Sequence, residues 1–179
     1  MKKILLGIRS LLFFFRTKLK YGKKIQIHMM NSIRGKFIID LQSKSKLKIG
    51  TFLMSQGPLY LKAVDNGQII IGNNVFLNHN VSITAADSVV IGDGVDIANN
   101  VVIVDHDHKM NDTGVTGDLV TAPVQIDRHT WIGANVTITK GVHIGEGSII
   151  AAGAVVTKSV PSFCVAAGIP AKVVKDNRG

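Results

Sequence analysis

A chain of 179 residues suits one compact domain with a short appended segment and leaves no room for a second full domain. Hydrophobic residues make up 46% but aromatics only 6%, with 18 glycines, so the core must come mainly from Ile, Val and Ala rather than large rings. The 21 Lys and Arg against 12 Asp and Glu give a net charge of +9, which favours acidic partners such as nucleotide-bearing cofactors, nucleic acid or anionic membrane; the single Cys164 excludes an intramolecular disulfide framework and a four-thiolate zinc site, and fits a reducing cytoplasm.

The opening MKKILLGIRSLLFFFRTKLKYGKK predicts a basic amphipathic helix over residues 1–24. Its start resembles a signal peptide, but Arg9 interrupts the apolar run and no small-residue cleavage site follows. The segment is also too short and too charged to span a bilayer. Helical spacing sets Ile4, Leu5, Ile8, Leu11, Leu12, Phe15 and Leu19 mostly along one broad face, with basic residues at both ends. That face is expected to pack on the domain or on a partner subunit, with an anionic membrane surface as the alternative.

Beyond the helix an internal period dominates. IGNNVF from Ile71, LNHNVS from Leu77 and ITAADS from Ile83 share one phase, which resumes after a two-residue slip as IGDGVD from Ile91 and IANNVV from Ile97 and ends at Ile103. Residues 104–125 suspend it with a polar stretch of Gly, Pro, Asn and Asp, the composition of a loop thrown out from a regular scaffold. Within it, DHDH could supply metal ligands, a catalytic base or only a polar loop. If 104–108 continue an extended strand, His106 and His108 share one side and Asp105 and Asp107 the other, so the aspartates are poorly placed to orient their neighbours. The period returns without a gap at Ile126, Ile132, Ile138, Ile144, Ile150 and Val156.

Six residues turn an α-helix through about 600°, which throws successive apolar positions out of line. A parallel β-helix keeps them aligned, because three hexads make one triangular coil and each Ile points inward onto the residue one coil away. The Gly and Asn after each strand suit tight corners that need left-handed backbone. The fold class is therefore all-β, a parallel β-helix of hexapeptide repeats over residues 25–174, carrying an extended loop (104–125), preceded by the short helix of 1–24 and followed by a tail at 175–179.

From roughly Ile49 to Val174 the segments resemble the left-handed β-helix of the hexapeptide-repeat acyltransferases, and GAVVTKSVPSFCVAAGIPAKVV is similar to the closing signature of the branch that acetylates sugars. The resemblance implies an acetyl-CoA-dependent acyltransferase, a sugar O-acetyltransferase of cell-surface polysaccharide biosynthesis, working as a cytoplasmic homotrimer, at the inner face of the membrane if the N-terminal helix binds there. The resemblance implies no metal requirement. It puts the catalytic base at His106, where imidazole chemistry suits removal of a hydroxyl proton, and acceptor contacts at Asn78, His108 and Asp105. Where some relatives carry an acceptor-binding carboxylate, this chain has Ala85 or Ala86, which leaves acceptor recognition open. Trp131, Gly133 and Ala134 are expected beside the CoA groove, with the backbone left open to the pantetheine amides; Ala152, Gly153, Thr157, Lys158 and Lys172 follow along it, the lysines facing CoA phosphates. Cys164 reads as a buried small residue.

Alternatives remain at this level. N-acetylation of an amino sugar or sugar nucleotide would use the same histidine. The γ-class carbonic anhydrases share the β-helix, and His79, His106, His108 and His129 could in principle supply metal ligands. A non-catalytic scaffold is a third possibility. No nucleic-acid module accompanies the positive charge, so nucleic acid is not an expected partner.

Overall fold

The computed structural model describes residues 2–178, with side chains from residue 7 onward, so the side chains of Ile4 and Leu5 lie outside the described ones. A helix runs over Lys2–Tyr21 and passes through one 3-10 turn, Gly22–Lys24, into the first strand at Ile25. The remainder is a β-helix of three parallel sheets, one per face of a triangular prism. The first face starts with Ile25–Gln26 and ends with His143–Ile144. The second starts with Ser32–Ile33, and the third runs from Phe37–Leu41 to Val155–Val156. The C-terminal segment adds Cys164–Gly168 in parallel to the second face, and Ala171–Asp176 closes that face as an antiparallel strand.

The hexad residues build the core. Ile126, Ile132, Ile138, Ile144, Ile150 and Val156 are fully buried, as are Leu77, Ile83, Ile97 and Ile103. Each stacks on its counterpart one coil away: Ile91 on Ile126, Ile97 on Ile132 and Ile103 on Ile138. The fifth hexad positions, including Val75, Val95, Val136 and Ala154, are buried too, so each face contributes two inward side chains around every corner.

Coil length varies along the prism. The step from Leu61 to its partner Ile83 is 22 residues, from Ile83 to Ile103 it is 20, and from Ile138 to Val156 it is 18. Only the last is three hexads. The earlier coils carry longer strands on the third face, Phe37–Leu41, Leu59–Ala63 and Val81–Ala85, which absorb the extra residues.

Corner residues meet the conformational demand directly. Asn80, Asn100 and Asn135 occupy the left-handed region at φ 59°, 58° and 59° on successive coils of the corner between the second and third faces. Their side chains form a ladder, Asn80 Nδ2 donating to Asn100 Oδ1 at 2.9 Å and Asn100 Nδ2 to Asn135 Oδ1 at 3.0 Å. Asn tolerates this backbone better than other L residues, and stacking gives the amides partners.

The stretch 104–125 leaves the scaffold as the expected extended loop and has order of its own: His106–Asn111 and Gly114–Thr121 pair as an antiparallel hairpin that projects from the corner between the third and first faces. One expectation needs correction. The helix does pack on the domain, but through the opposite side from the one its apolar pattern indicated. Ser10 and Thr17 are buried, Phe13, Phe14 and Tyr21 are partly buried, and Ile8, Leu11, Leu12, Phe15 and Leu19 are exposed. Ser10 Oγ accepts from the Ile33 amide at 3.0 Å, and Lys18 Nζ donates to the Ile25 carbonyl at 3.1 Å, so the helix is tied to the first coil by polar contacts. Among the described residues no helix is long and apolar enough to cross a membrane.

Candidate active site

The third-face strand Val102–Val104 stops one residue before the hairpin, and Asp105 sits at the bend between them. The bend turns its carboxyl group back into the body, where it is fully buried. One oxygen accepts from the Ala86 amide at 2.8 Å and the other from the Asp87 amide at 2.8 Å, so the side chain fastens the preceding coil's corner. The first oxygen also meets His106 Nδ1 at 2.9 Å.

This overturns the alternation argument made from sequence. Alternation holds only along an unbroken strand, and the bend at Asp105 breaks it, so the adjacent aspartate orients the imidazole after all. It also overturns Asp105 as an acceptor contact, since a fully buried carboxyl group already engaged by three donors has no surface to offer a sugar. With Nδ1 donating to Asp105, the ring's Nε2 is the nitrogen left to take up a proton. The His106 side chain is 18% exposed, enough for one edge to reach solvent.

His108 lies farther out on the hairpin and is exposed, on the same side of the strand as His106. Between them Asp107 pairs with Lys140 from the next coil, fixing the hairpin's base to the prism.

The other predicted residues divide between corners. Asn78 belongs to the corner between the second and third faces, where its Oδ1 accepts from the His79 amide at 2.9 Å and touches His79 Nδ1 at 2.8 Å. The left-handed residue of that turn is Asn80. On later coils the same corner carries Gly133, Ala134, Ala152 and Gly153, with Trp131 just before it on the second face, 52% exposed. Gly153 is exposed at φ 74° with open space where a Cβ would be, which leaves its backbone approachable. Gly133 differs from expectation: it is buried, its amide donates to the Ile150 carbonyl at 2.8 Å, and a Cβ there would fall 2.7 Å from the Ala152 nitrogen. Its missing side chain serves the stacking of coils, and its amide is not free for a cofactor.

Thr157 and Lys158 stand at the next corner, separated from Gly153 by the strand Val155–Val156, a reach of about 16 Å for extended chain. Lys172 is exposed on the closing strand of the second face. One residue was missed: Trp131 pairs with Ile149, Ile149 with Val165, and Val165 with Lys175, so Lys175 stands in the same outward column as the tryptophan. The spacing of a regular hexad could not reveal it, because the chain reverses at 169–170 before the last strand.

The four histidines weighed as metal ligands do not gather. His79 is at one corner, His129 at another over Gly94, and His106 and His108 at the third. Among the described residues no three His, Cys, Asp or Glu side chains are grouped to hold an ion. Cys164 is buried.

Similarity to known proteins agrees with this architecture. Residues 123–158 match the family described as bacterial transferase hexapeptide (six repeats), and 68–104 match the hexapeptide repeat of succinyl-transferase. Galactoside O-acetyltransferase of Escherichia coli (strain K12) is 36% identical over 129 residues, covering 72% of this chain and 63% of the relative. A putative lipopolysaccharide biosynthesis O-acetyl transferase of the same organism is 34% identical over 145 residues, covering 75% of this chain and 74% of the relative. Among solved structures, a hexapeptide-repeat acetyltransferase of Vibrio cholerae O1 biovar eltor complexed with acetyl coenzyme A superposes with a TM-score of 0.61 at 25% identity, covering 77% of this chain and 72% of the other. With its hexad core and relatives of this identity and coverage, the chain belongs to the hexapeptide-repeat acetyltransferases.

Proposed function

We propose that the protein transfers acetyl from acetyl-CoA to a hydroxyl of a sugar, in the cytoplasmic synthesis of a cell-surface polysaccharide. The observation that carries this reading is His106, oriented through Nδ1 by the buried Asp105 and free at Nε2. Nε2 accepts the acceptor's hydroxyl proton as the oxygen attacks the thioester carbonyl. The carbon–sulfur bond then breaks, and the proton passes from the imidazole to the departing sulfur. The buried Cys164 is unavailable as a nucleophile, which supports direct transfer without an acetyl-enzyme.

The acetyl-CoA assignment rests on the complex formed by the Vibrio relative, and the sugar on the names of the two Escherichia coli relatives. In this chain Trp131 and Gly153 flank the cofactor, with Lys158, Lys172 and Lys175 near its phosphates. His106 and the Asn78 corner stand at opposite edges of the third face. A neighbouring subunit would therefore complete each site, in a homotrimer with the acceptor between His106, His108 and Asn78.

The test is a panel of free, nucleotide-linked and polymeric sugars incubated with acetyl-CoA, with the acetylated product then treated with mild alkali. An alkali-labile product is the expected ester. An alkali-stable product would identify an amide and reassign the acceptor to an amino sugar.

A further inference from the structure

The N-terminal helix carries two apolar faces on opposite sides. At about 100° per residue, Ser10, Phe13, Phe14, Thr17 and Tyr21 fall on the side packed against the first coil. Ile8, Leu11, Leu12, Phe15 and Leu19 fall within an arc of roughly 100° on the far side, where Leu12 and Phe15 are each 58% exposed and Leu19 is 91% exposed. A contiguous apolar stripe on a helix already docked by its other side marks an interaction surface.

Charge identifies what it meets. Residues 1–39 contain ten Lys and Arg and no Asp or Glu, whereas the remaining 140 residues contain eleven Lys and Arg against twelve Asp and Glu. The whole positive charge of the molecule is thus gathered at the helix and first coil, while the coils that carry the candidate active site are close to neutral. Arg9 and Lys18 are committed to backbone carbonyls of the first coil. Arg16, with Lys20 beyond it, borders one edge of the exposed stripe, and Lys23 and Lys24 follow at its end. An apolar stripe bordered by long basic side chains suits a helix lying in the plane of a bilayer, with those side chains reaching back to the headgroups.

We propose that this helix docks the protein on an anionic lipid surface, inserting Ile8, Leu11, Leu12, Phe15 and Leu19 below the headgroups while Arg16, Lys20, Lys23 and Lys24 pair with lipid phosphates. The surface belongs to the N-terminal end of the prism, so the hairpin and the later coils stay clear of the membrane.

The full-length protein would be sedimented with vesicles of phosphatidylcholine alone and of phosphatidylcholine with phosphatidylglycerol. Binding is expected only to the anionic vesicles and should weaken as salt is raised, since each basic residue near such a surface contributes roughly fivefold in affinity. L12E/F15E should reduce binding by about tenfold or more, with the far-ultraviolet dichroism and melting temperature of the wild type. R16E/K20E should do the same while leaving the stripe intact. Absence of wild-type binding, or equal binding to both vesicles, overturns the proposal. So does light scattering that shows L12E/F15E converting an oligomer to a smaller species, because the stripe would then be covered by a second copy of the chain.

Discussion

Asp105 and His106 form a unit in which one carboxyl group does two jobs, closing the preceding corner through the amides of Ala86 and Asp87 and fixing the tautomer of the imidazole. Asp105→Asn replaces one acceptor oxygen by a donor facing donors, so it should lower stability by about 2 kcal/mol as well as slow turnover. Urea unfolding measures the first effect. The second should appear in kcat with little change in the KM for acetyl-CoA, because Asp105 acts through His106 and touches no substrate. Trp131→Ala should do the reverse, raising the KM for acetyl-CoA with kcat largely kept, as expected when uniform binding is removed. A buried hydroxyl offers a third check. Ser55 Oγ is buried with no hydrogen-bond partner among the described residues, so Ser55→Ala should be neutral or stabilising by up to about 1 kcal/mol in the same unfolding experiment.

At the scale of the element, the corner ladder and the hairpin decide what the coils can hold. Asn100 has a left-handed backbone and two side-chain hydrogen bonds along the ladder. Asn100→Ala should therefore cost about 1–2 kcal/mol, and Asn100→Gly should recover the backbone share but not the ladder; thermal melts of the pair separate the two. How far these elements could be read from sequence followed from their regularity. The later coils, each three hexads long, were legible residue by residue down to the buried Ile126, Ile132 and Ile138. The first coils, from Ile25, were not, because their 22-residue length hides the period of six. The resemblance singles out His106 as the expected base, but its contact with Asp105 was not legible, since a single bend at Asp105 reverses the side on which that carboxyl group lies. The helix's packed side was obscured for another reason: Ser10 and Lys18 tie it to the first coil through hydrogen bonds, which a hydrophobic pattern does not register.

For the whole molecule, the prism spreads these features along its length. The basic helix and first coil stand at one end, the hairpin with His106 projects midway, and the exposed Trp131, Gly153 and Lys175 lie toward the other end. Since His106 and Asn78 occupy different edges of one face, a single chain does not bring them together, and a symmetric assembly of parallel prisms would. Light scattering should give three times the chain mass. Co-expressed His106→Ala and Asn78→Ala chains, each inactive alone, should recover about a quarter of wild-type activity in randomly mixed assemblies; no recovery would place both residues' contributions within one chain.

The most direct test of the account is CoA release from acetyl-CoA in the presence of an acceptor sugar, measured for wild type and His106→Ala together with CoA binding by each. Acceptor-dependent release by the wild type is expected, with a fall of about 10² to 10⁴ in kcat for the variant and unchanged CoA affinity. Equal release by the two proteins, or no affinity of the wild type for CoA, would contradict it.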